Sequence, residues 1–157
     1  MLRNRLIFLL FLFLTTFIWA ETWTKLGEGQ IERMEHESLN ISPKWVLASD
    51  STQPLKRYAY YIYTGNRTER IITGVRFNIS FFNAFKKEVF RDSIEILEQI
   101  KPGEIGMGFS VLNGAGIEGK SLSEADEKKA NQFRQQLEHN GANFKIKISQ
   151  IEVVFAE

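Results

Sequence analysis

A histidine flanked by carboxylates is the first group of residues in this chain that could do chemistry. Glu32, Glu35, His36 and Glu37 lie close together in the run IERMEHES. An imidazole beside carboxylates can act as a general base with an orienting partner, or can supply ligands to a metal ion. The only other histidine is His139, and cysteine is absent, which excludes a multi-histidine or thiolate metal centre. The alternative, which we favour, is a solvated polar face.

A glycine-rich run is the second candidate. Gly114 to Gly119 reads GAGIEG and matches the G-x-G-x-x-G pattern of dinucleotide-binding loops. In that fingerprint the third glycine packs a helix closely against a strand, whereas here the helix-start signals, Ser121 and Glu124, come after it. Only one further strand pattern follows, which is too few βαβ units for a Rossmann sheet. We therefore interpret the run as a connecting loop and predict no cofactor.

Four tyrosines fall within residues 55–64, which read LKRYAYYIYT. Strand side chains alternate between two faces. Such a strand would place two tyrosines in the core and two on the outer face. Aromatic side chains with a polar tip suit contact with a protein or a glycan. We predict that a partner-binding surface lies within these four residues, Tyr58, Tyr60, Tyr61 and Tyr63. The alternative is that they only pack between strands.

Composition limits the class of protein. The chain has 157 residues, of which 43% are hydrophobic and 25% are charged, and its net charge is +1. This length and apolar content predict one folded domain rather than a disordered chain. A nucleic-acid-binding surface usually shows a basic excess or stripe, and none is visible, so we expect no nucleic-acid partner.

The first 20 residues have the pattern of a signal peptide. Arg3 and Arg5 precede 14 uncharged, mostly apolar residues at 6–19, and the small Ala20 stands before the polar Glu21. An apolar stretch of this length is shorter than the roughly 20 residues that span a bilayer. We predict a mature domain over residues 21–157 that is periplasmic or secreted. An uncleaved anchor is the alternative, and would be the only contact with a membrane.

Alternating apolar residues predict strands through most of the mature chain. The clearest run is Val75, Phe77, Ile79 and Phe81, with polar residues between them. Residues 105–111 show the same period of two, and shorter patterns at residues 23–26, 45–48 and 89–97 also predict strands. Turn signals stand at residues 65–66, 83–87 and 101–104.

One helix interrupts this β pattern near the C-terminus. Five apolar residues lie on one face at helical spacing: Leu122, Ala125, Ala130, Phe133 and Leu137. Ser121 and Glu124 are spaced as a capping box, and Gly141 is placed as a C-cap. The last segment is again a strand, but its apolar parity switches near Ser149 and Gln150, which predicts a β-bulge. We therefore predict a mostly β, antiparallel immunoglobulin-like sandwich with one inserted helix.

Part of this pattern resembles a known family. Residues 75–84 read VRFNISFFNA, KEV follows at 87–89, and KPGE at 101–104 forms a turn before the next strand. The arrangement resembles the FxLYD-type domain, an immunoglobulin-like sandwich of exported bacterial proteins, and covers roughly 55 residues. In that family an alternating apolar strand leads to an aromatic–acid turn, a second strand and a turn of this kind.

Individual positions both match the family and depart from it. Asn66 resembles an asparagine that the family often carries ahead of this strand. Phe82 and Asn83 replace the usual Tyr-Asp pair, and Phe85 stands where a glycine is common. The resemblance implies a fold and an exported location, and it brings no shared catalytic residues.

The leading functional hypothesis is an exported, non-catalytic binding or accessory module of the cell envelope. Its partner would be another envelope protein or a glycan. No G-x-S-x-G elbow or other context for a nucleophile occurs. Two alternatives remain open: a small extracytoplasmic enzyme that uses the cluster around His36, and a periplasmic assembly factor or chaperone that pairs a client strand with an open sheet edge.

Overall fold

The computed structural model describes residues 23–50, 52 and 55–157, and the predicted signal segment lies outside them. This part of the chain is mostly β, with one helix and a mixed sheet of eight strands. None of the described helices is long and apolar enough to cross a membrane. The elements in chain order are β1 Thr24–Ile31, β2 Leu39–Ile41, β3 Lys44–Asp50, β4 Arg57–Asn66, β5 Ile72–Phe82, β6 Glu88–Ile96, β7 Ile105–Leu112, α1 Glu124–Asn140 and β8 Lys145–Phe155.

The sheet is held together at its centre by its first and last strands. The strand order is β2-β4-β3-β1-β8-β5-β6, with β7 paired to β4. The ladders are antiparallel except the short β1–β8 contact, in which Gln30 and Ile31 pair with Lys145 and Ile146 in parallel. The expectation of a wholly antiparallel arrangement is therefore wrong. Local alternation predicts a strand but carries no information about which distant strand lies beside it.

The alternating residues of β5 form the centre of the core, as predicted. Val75, Phe77, Ile79 and Phe81 are all buried. The ring of Phe81 lies 5.3 Å from that of Trp45 in β3 and 5.1 Å from that of Tyr60 in β4, both edge to face. The sheet therefore curls so that β3 and β4 pack against β5 around one apolar cluster.

Trp45 is the largest side chain in this cluster and has no solvent exposure. Its indole Nε1 donates a hydrogen bond to the carbonyl oxygen of Phe144 at 3.0 Å, which satisfies the polar atom that burial would otherwise leave unpaired. Gly29 lies opposite Trp45 in the β1–β3 ladder. A Cβ at Gly29 would overlap the indole ring and would lie 2.8 Å from the carbonyl oxygen of Ala142.

Helix α1 packs through Ala130, Phe133 and Leu137, as its spacing predicts. The ring of Phe133 stacks on that of Phe90 at 4.6 Å. The predicted N-terminus is wrong by two residues: the cap is Ser123, whose side chain accepts a hydrogen bond from the backbone N–H of Asp126. Ala125 is exposed because the first turn of the helix extends beyond the core.

Both helix-end and strand-parity predictions hold further along the chain. Gly141 ends α1 at φ 59° with its N–H bonded to the carbonyl oxygen of Leu137. In β8, the register against β5 shifts beside Gln150, which has φ 52°, and this irregularity is the predicted bulge. It returns the apolar residues of both halves of β8 to the core: Ile146 and Ile148 are buried, and Ile151, Val153 and Phe155 pack against the cluster.

The predicted turn at Gly65 and Asn66 is instead the end of β4. Asn66 is buried and its side-chain amide donates to the carbonyl oxygens of Arg70 and Ile100, at 2.7 and 2.8 Å. Its Oδ1 accepts from the backbone N–H and hydroxyl of Thr68. The side chain thus organises the loop after the strand, because all its hydrogen-bonding positions are used within the protein.

At the far end of β4, Arg57 pairs with the buried carboxylate of Asp50 in β3, and this pair should make the free energy of unfolding depend on pH. The Asp50 carboxylate accepts hydrogen bonds from Arg57 and from the N–H and hydroxyl of Thr52, and these bonds lower its pKa from 3.8 to about 2. Because the pKa of Asp50 is lower in the folded than in the unfolded protein, the ionised carboxylate stabilises the fold at pH values above the unfolded pKa. This contribution disappears as the pH falls toward 2.

We therefore expect wild type and Asp50→Asn to differ most in free energy of unfolding near pH 6, and we expect this difference to become small at about pH 2. Urea denaturation of both proteins at the two pH values measures this difference. A difference that is the same at both pH values would contradict the role of Asp50.

Candidate functional site

The tyrosines of β4 divide between its two faces. Tyr58 and Tyr60 are buried in the core, so neither can contact a partner. The predicted binding surface therefore does not include them. They are buried because alternate residues of β4 face β5 and α1. Tyr61 is half-buried and Tyr63 is 39% exposed, and both lie on the outer face of the sheet. Burial raises the pKa of Tyr61, which keeps its hydroxyl neutral.

Strand β7 extends this outer surface. In the β4–β7 ladder, Tyr61 lies opposite Phe109 and Tyr63 lies opposite Met107. The rings of Tyr61 and Phe109 are 5.9 Å apart. Ile105, at the start of β7, is 71% exposed. We call the five residues the outer strip: Tyr61, Tyr63, Ile105, Met107 and Phe109. The outer strip contains no charged side chain. The sequence did not predict its β7 residues, because local sequence does not show which strands pair.

A second cluster, also missed from sequence, lies where β4, β6 and β7 approach one another. Asp92 of β6 points into the core with its side chain only 3% exposed. Its Oδ2 accepts hydrogen bonds from the hydroxyls of Tyr60 and Ser110, the latter at 2.6 Å. Its Oδ1 accepts from the backbone N–H of Ser93 at 2.8 Å and from the ammonium of Lys120. The one available signal was an aspartate at the inward parity of β6, between Phe90 and Ile94.

The geometry of this cluster supports a structural role rather than a catalytic one. Serine, lysine and aspartate are the residue types of several nucleophilic sites. However, Ser110 is buried and its hydroxyl donates to Asp92. A carboxylate has about four lone-pair positions, and the four donors around Asp92 can fill them, leaving none for a substrate proton. Burial, together with the charge of Asp92, raises the pKa of Tyr60 well above its usual value, so its hydroxyl stays a donor.

Removing the Tyr60 hydroxyl tests this network. We expect Tyr60→Phe to lower the free energy of unfolding by about 1.5–3 kcal/mol, because a buried carboxylate loses one donor. Tyr63→Phe is the matched control, with an expected change within about 0.5 kcal/mol, since Tyr63 lies at the surface. Urea denaturation of both variants measures the difference. Equal losses would mean that the hydroxyl of Tyr60 contributes nothing specific.

Several backbone N–H groups in and beside the glycine loop are used within the protein. The N–H of Glu118 bonds to the carbonyl oxygen of Val111, that of Lys120 to Ile117, and that of Ala115 to the side chain of Asn113. The helix begins only at Glu124 and carries Asp126 and Glu127 in its first turn. These carboxylates repel an anion at the helix N-terminus. The arrangement gives no support to phosphate binding.

The residues around His36 are not assembled into a site. His36 is half-buried and its Nδ1 accepts a hydrogen bond from the backbone N–H of Ser38 at 3.1 Å. Glu32, Glu35 and Glu37 are exposed, and Glu35 pairs with Arg33. Within residues 23–50, 52 and 55–157, no three His, Cys, Asp or Glu side chains are placed to hold a metal ion. The structure therefore favours the polar-face interpretation of this segment.

Comparison of the chain with models of protein families, with curated proteins and with solved structures finds no match.

Proposed function

We propose that the protein is an exported, non-catalytic binding module of the cell envelope, built as an immunoglobulin-like sandwich, which contacts a partner protein through the outer strip. The exported location is supported by the signal-peptide pattern of residues 1–20. The observation that carries the function is the outer strip itself, because exposed contiguous apolar surface in a small domain marks an interaction site.

Strand connectivity supports the immunoglobulin-like fold. In such sandwiches strands A, B and E lie side by side in one sheet, and strands C and F are neighbours in the other. Here β3, β4 and β7 have the A, B and E relationship, and β5 and β8 have the C and F relationship. Strand β6 lies beside β5 as an added C′ strand would, and β1 lies beside β8 in the place of strand G. The resemblance to the FxLYD-type domain agrees with this assignment.

The chemistry of the outer strip favours a protein as partner. Aromatic rings and methionine are enriched where proteins meet, since they bury a large area with few polar groups to desolvate. Tyr61 and Tyr63 add hydroxyls that can bond at the edge of such a contact. A glycan would stack on the same rings, and the test below separates the two partners.

Photo-crosslinking in cells tests the proposal on the full chain. With a photoreactive phenylalanine at Tyr63, we expect a discrete adduct that a protease removes. With the same residue at Arg76, which is exposed on β5, we expect no such adduct. Ile105→Asp should abolish the adduct at Tyr63 without loss of folding, because Ile105 is mostly exposed.

Two results would contradict the protein partner. A protease-resistant adduct would indicate a glycan instead. Equal labelling from Tyr63 and Arg76, or labelling unaffected by Ile105→Asp, would show that the outer strip is not a specific binding surface.

A further inference from the structure

Strand β6 ends the sheet and is hydrogen-bonded on one side only. Among the described residues its only ladder is with β5. An edge strand presents unpaired N–H and C=O groups, which makes it a template for another strand. The proposed function does not use this edge, because the outer strip lies on β4 and β7.

The centre of this edge is covered by an ion pair from within the protein. At Ser93, the backbone N–H donates to Oδ1 of Asp92 at 2.8 Å, and the backbone carbonyl accepts from the ammonium of Lys120. The same ammonium contacts Asp92. Both backbone groups that Ser93 would offer to an added strand are therefore occupied by the Asp92–Lys120 pair.

The side chains along β6 are complementary to a second copy of the same strand. If two copies of β6 lay antiparallel with Ser93 facing Ser93, Arg91 of each copy would lie opposite Glu95 of the other. Val89 of each copy would likewise lie opposite Leu97, which follows directly after the strand. Cross-strand pairs of opposite charge and of apolar residues stabilise a sheet, and here both occur twice by symmetry. Arg91 and Glu95 are exposed, and Leu97 is 78% exposed.

We propose that the outer edge of β6 is a homodimerisation surface for a second copy of this chain, and that Lys120 blocks strand pairing at this edge in the monomer. Lys120 lies in the loop between β7 and α1, close to Gly116 and Gly119, which have φ of 134° and 77°. Its side chain is one-third exposed, whereas that of Asp92 is buried. Releasing Lys120 frees the carbonyl oxygen of Ser93, and it removes the counter-charge of the Asp92 carboxylate that accepts from the Ser93 N–H.

The first test removes the lysine charge and measures the molar mass in solution. We expect wild type to be monomeric at high micromolar concentration, and Lys120→Gln to show a twofold larger mass by light scattering. Lys129→Gln is the matched control: Lys129 pairs with exposed Asp126 instead of with Asp92 and Ser93, so this variant should stay monomeric. Hydrogen exchange at the backbone N–H of Glu95 should slow in the Lys120→Gln dimer.

The second test examines the strand register. In the Lys120→Gln background, Arg91→Glu should return the protein to a monomer, because like charges would face each other across the interface. The double swap R91E/E95R in that background should restore the dimer by exchanging the two sides of each pair.

Lys120→Gln also leaves the Asp92 carboxylate without its counter-charge, which could prevent folding. The variant D92N/K120Q removes both charges and tests the same edge in a neutral background. Each of three results would overturn the proposal: a folded variant that stays monomeric, a dimer that Arg91→Glu does not dissociate, or an open-ended series of larger assemblies.

Discussion

Gly29→Ala should be among the most damaging single substitutions in this protein, with an expected loss of about 3 kcal/mol or more in free energy of unfolding. The added Cβ would overlap Nε1 and Cε2 of Trp45 and approach the carbonyl oxygen of Ala142. The indole cannot easily move away, because it is fully buried, bonded to Phe144 and in edge contact with Phe81.

Gly27→Ala provides the control for this prediction. Gly27 lies in the same strand, and a Cβ there would meet only the Cβ of Ala142, at an ordinary 3.6 Å. We expect a change within about 1 kcal/mol, since the intrinsic gain from replacing a strand glycine offsets minor strain. Urea denaturation followed by far-ultraviolet circular dichroism compares the two variants. Equal midpoints would show that Trp45 adjusts freely and that the close approach of β1 is not required.

Phe77→Ala should cost about 3–5 kcal/mol, because it removes a fully buried ring from the middle of β5 and leaves a cavity. Arg76→Ala, one residue earlier, should cost less than about 1 kcal/mol. Arg76 lies on the opposite face of the strand and makes exposed ion pairs with Glu95 and Glu152. Denaturant unfolding of both variants measures the contrast. Similar losses would mean that the inward and outward faces of β5 are wrongly assigned.

Sequence predicts this fold well where one face of an element is buried. The alternation from Val75 to Phe81, the spacing of Phe133 and Leu137, and the change of parity in β8 all follow from periods set by backbone geometry. Gln150 is the clearest case, since a bulge is the simplest way to keep both halves of a strand in one core. The predictions failed at element ends, as at Ser121 and Gly65, where several local residues could serve equally well.

The candidate sites were harder to predict because each depends on contacts between distant strands. The outer strip needs β7 beside β4, and the polar cluster joins Tyr60, Asp92, Ser110 and Lys120 from four separate parts of the chain. The sequence motifs that looked most chemical, around His36 and Gly114, are short and local. Their residue types match those of catalytic or binding sites, but their three-dimensional positions do not assemble one.

The parallel contact between β1 and β8 has a consequence for the order in which the protein assembles. Gln30 and Lys145, which it brings together, are about 115 residues apart in sequence. Contacts of such separation form slowly, because a large chain loop must close first. A ribosome releases the chain from its N-terminus, so β1 can pair with β3 early but cannot meet β8 until nearly the whole chain has emerged. We expect this delay to make completion of the sheet the step that commits the chain to the folded state.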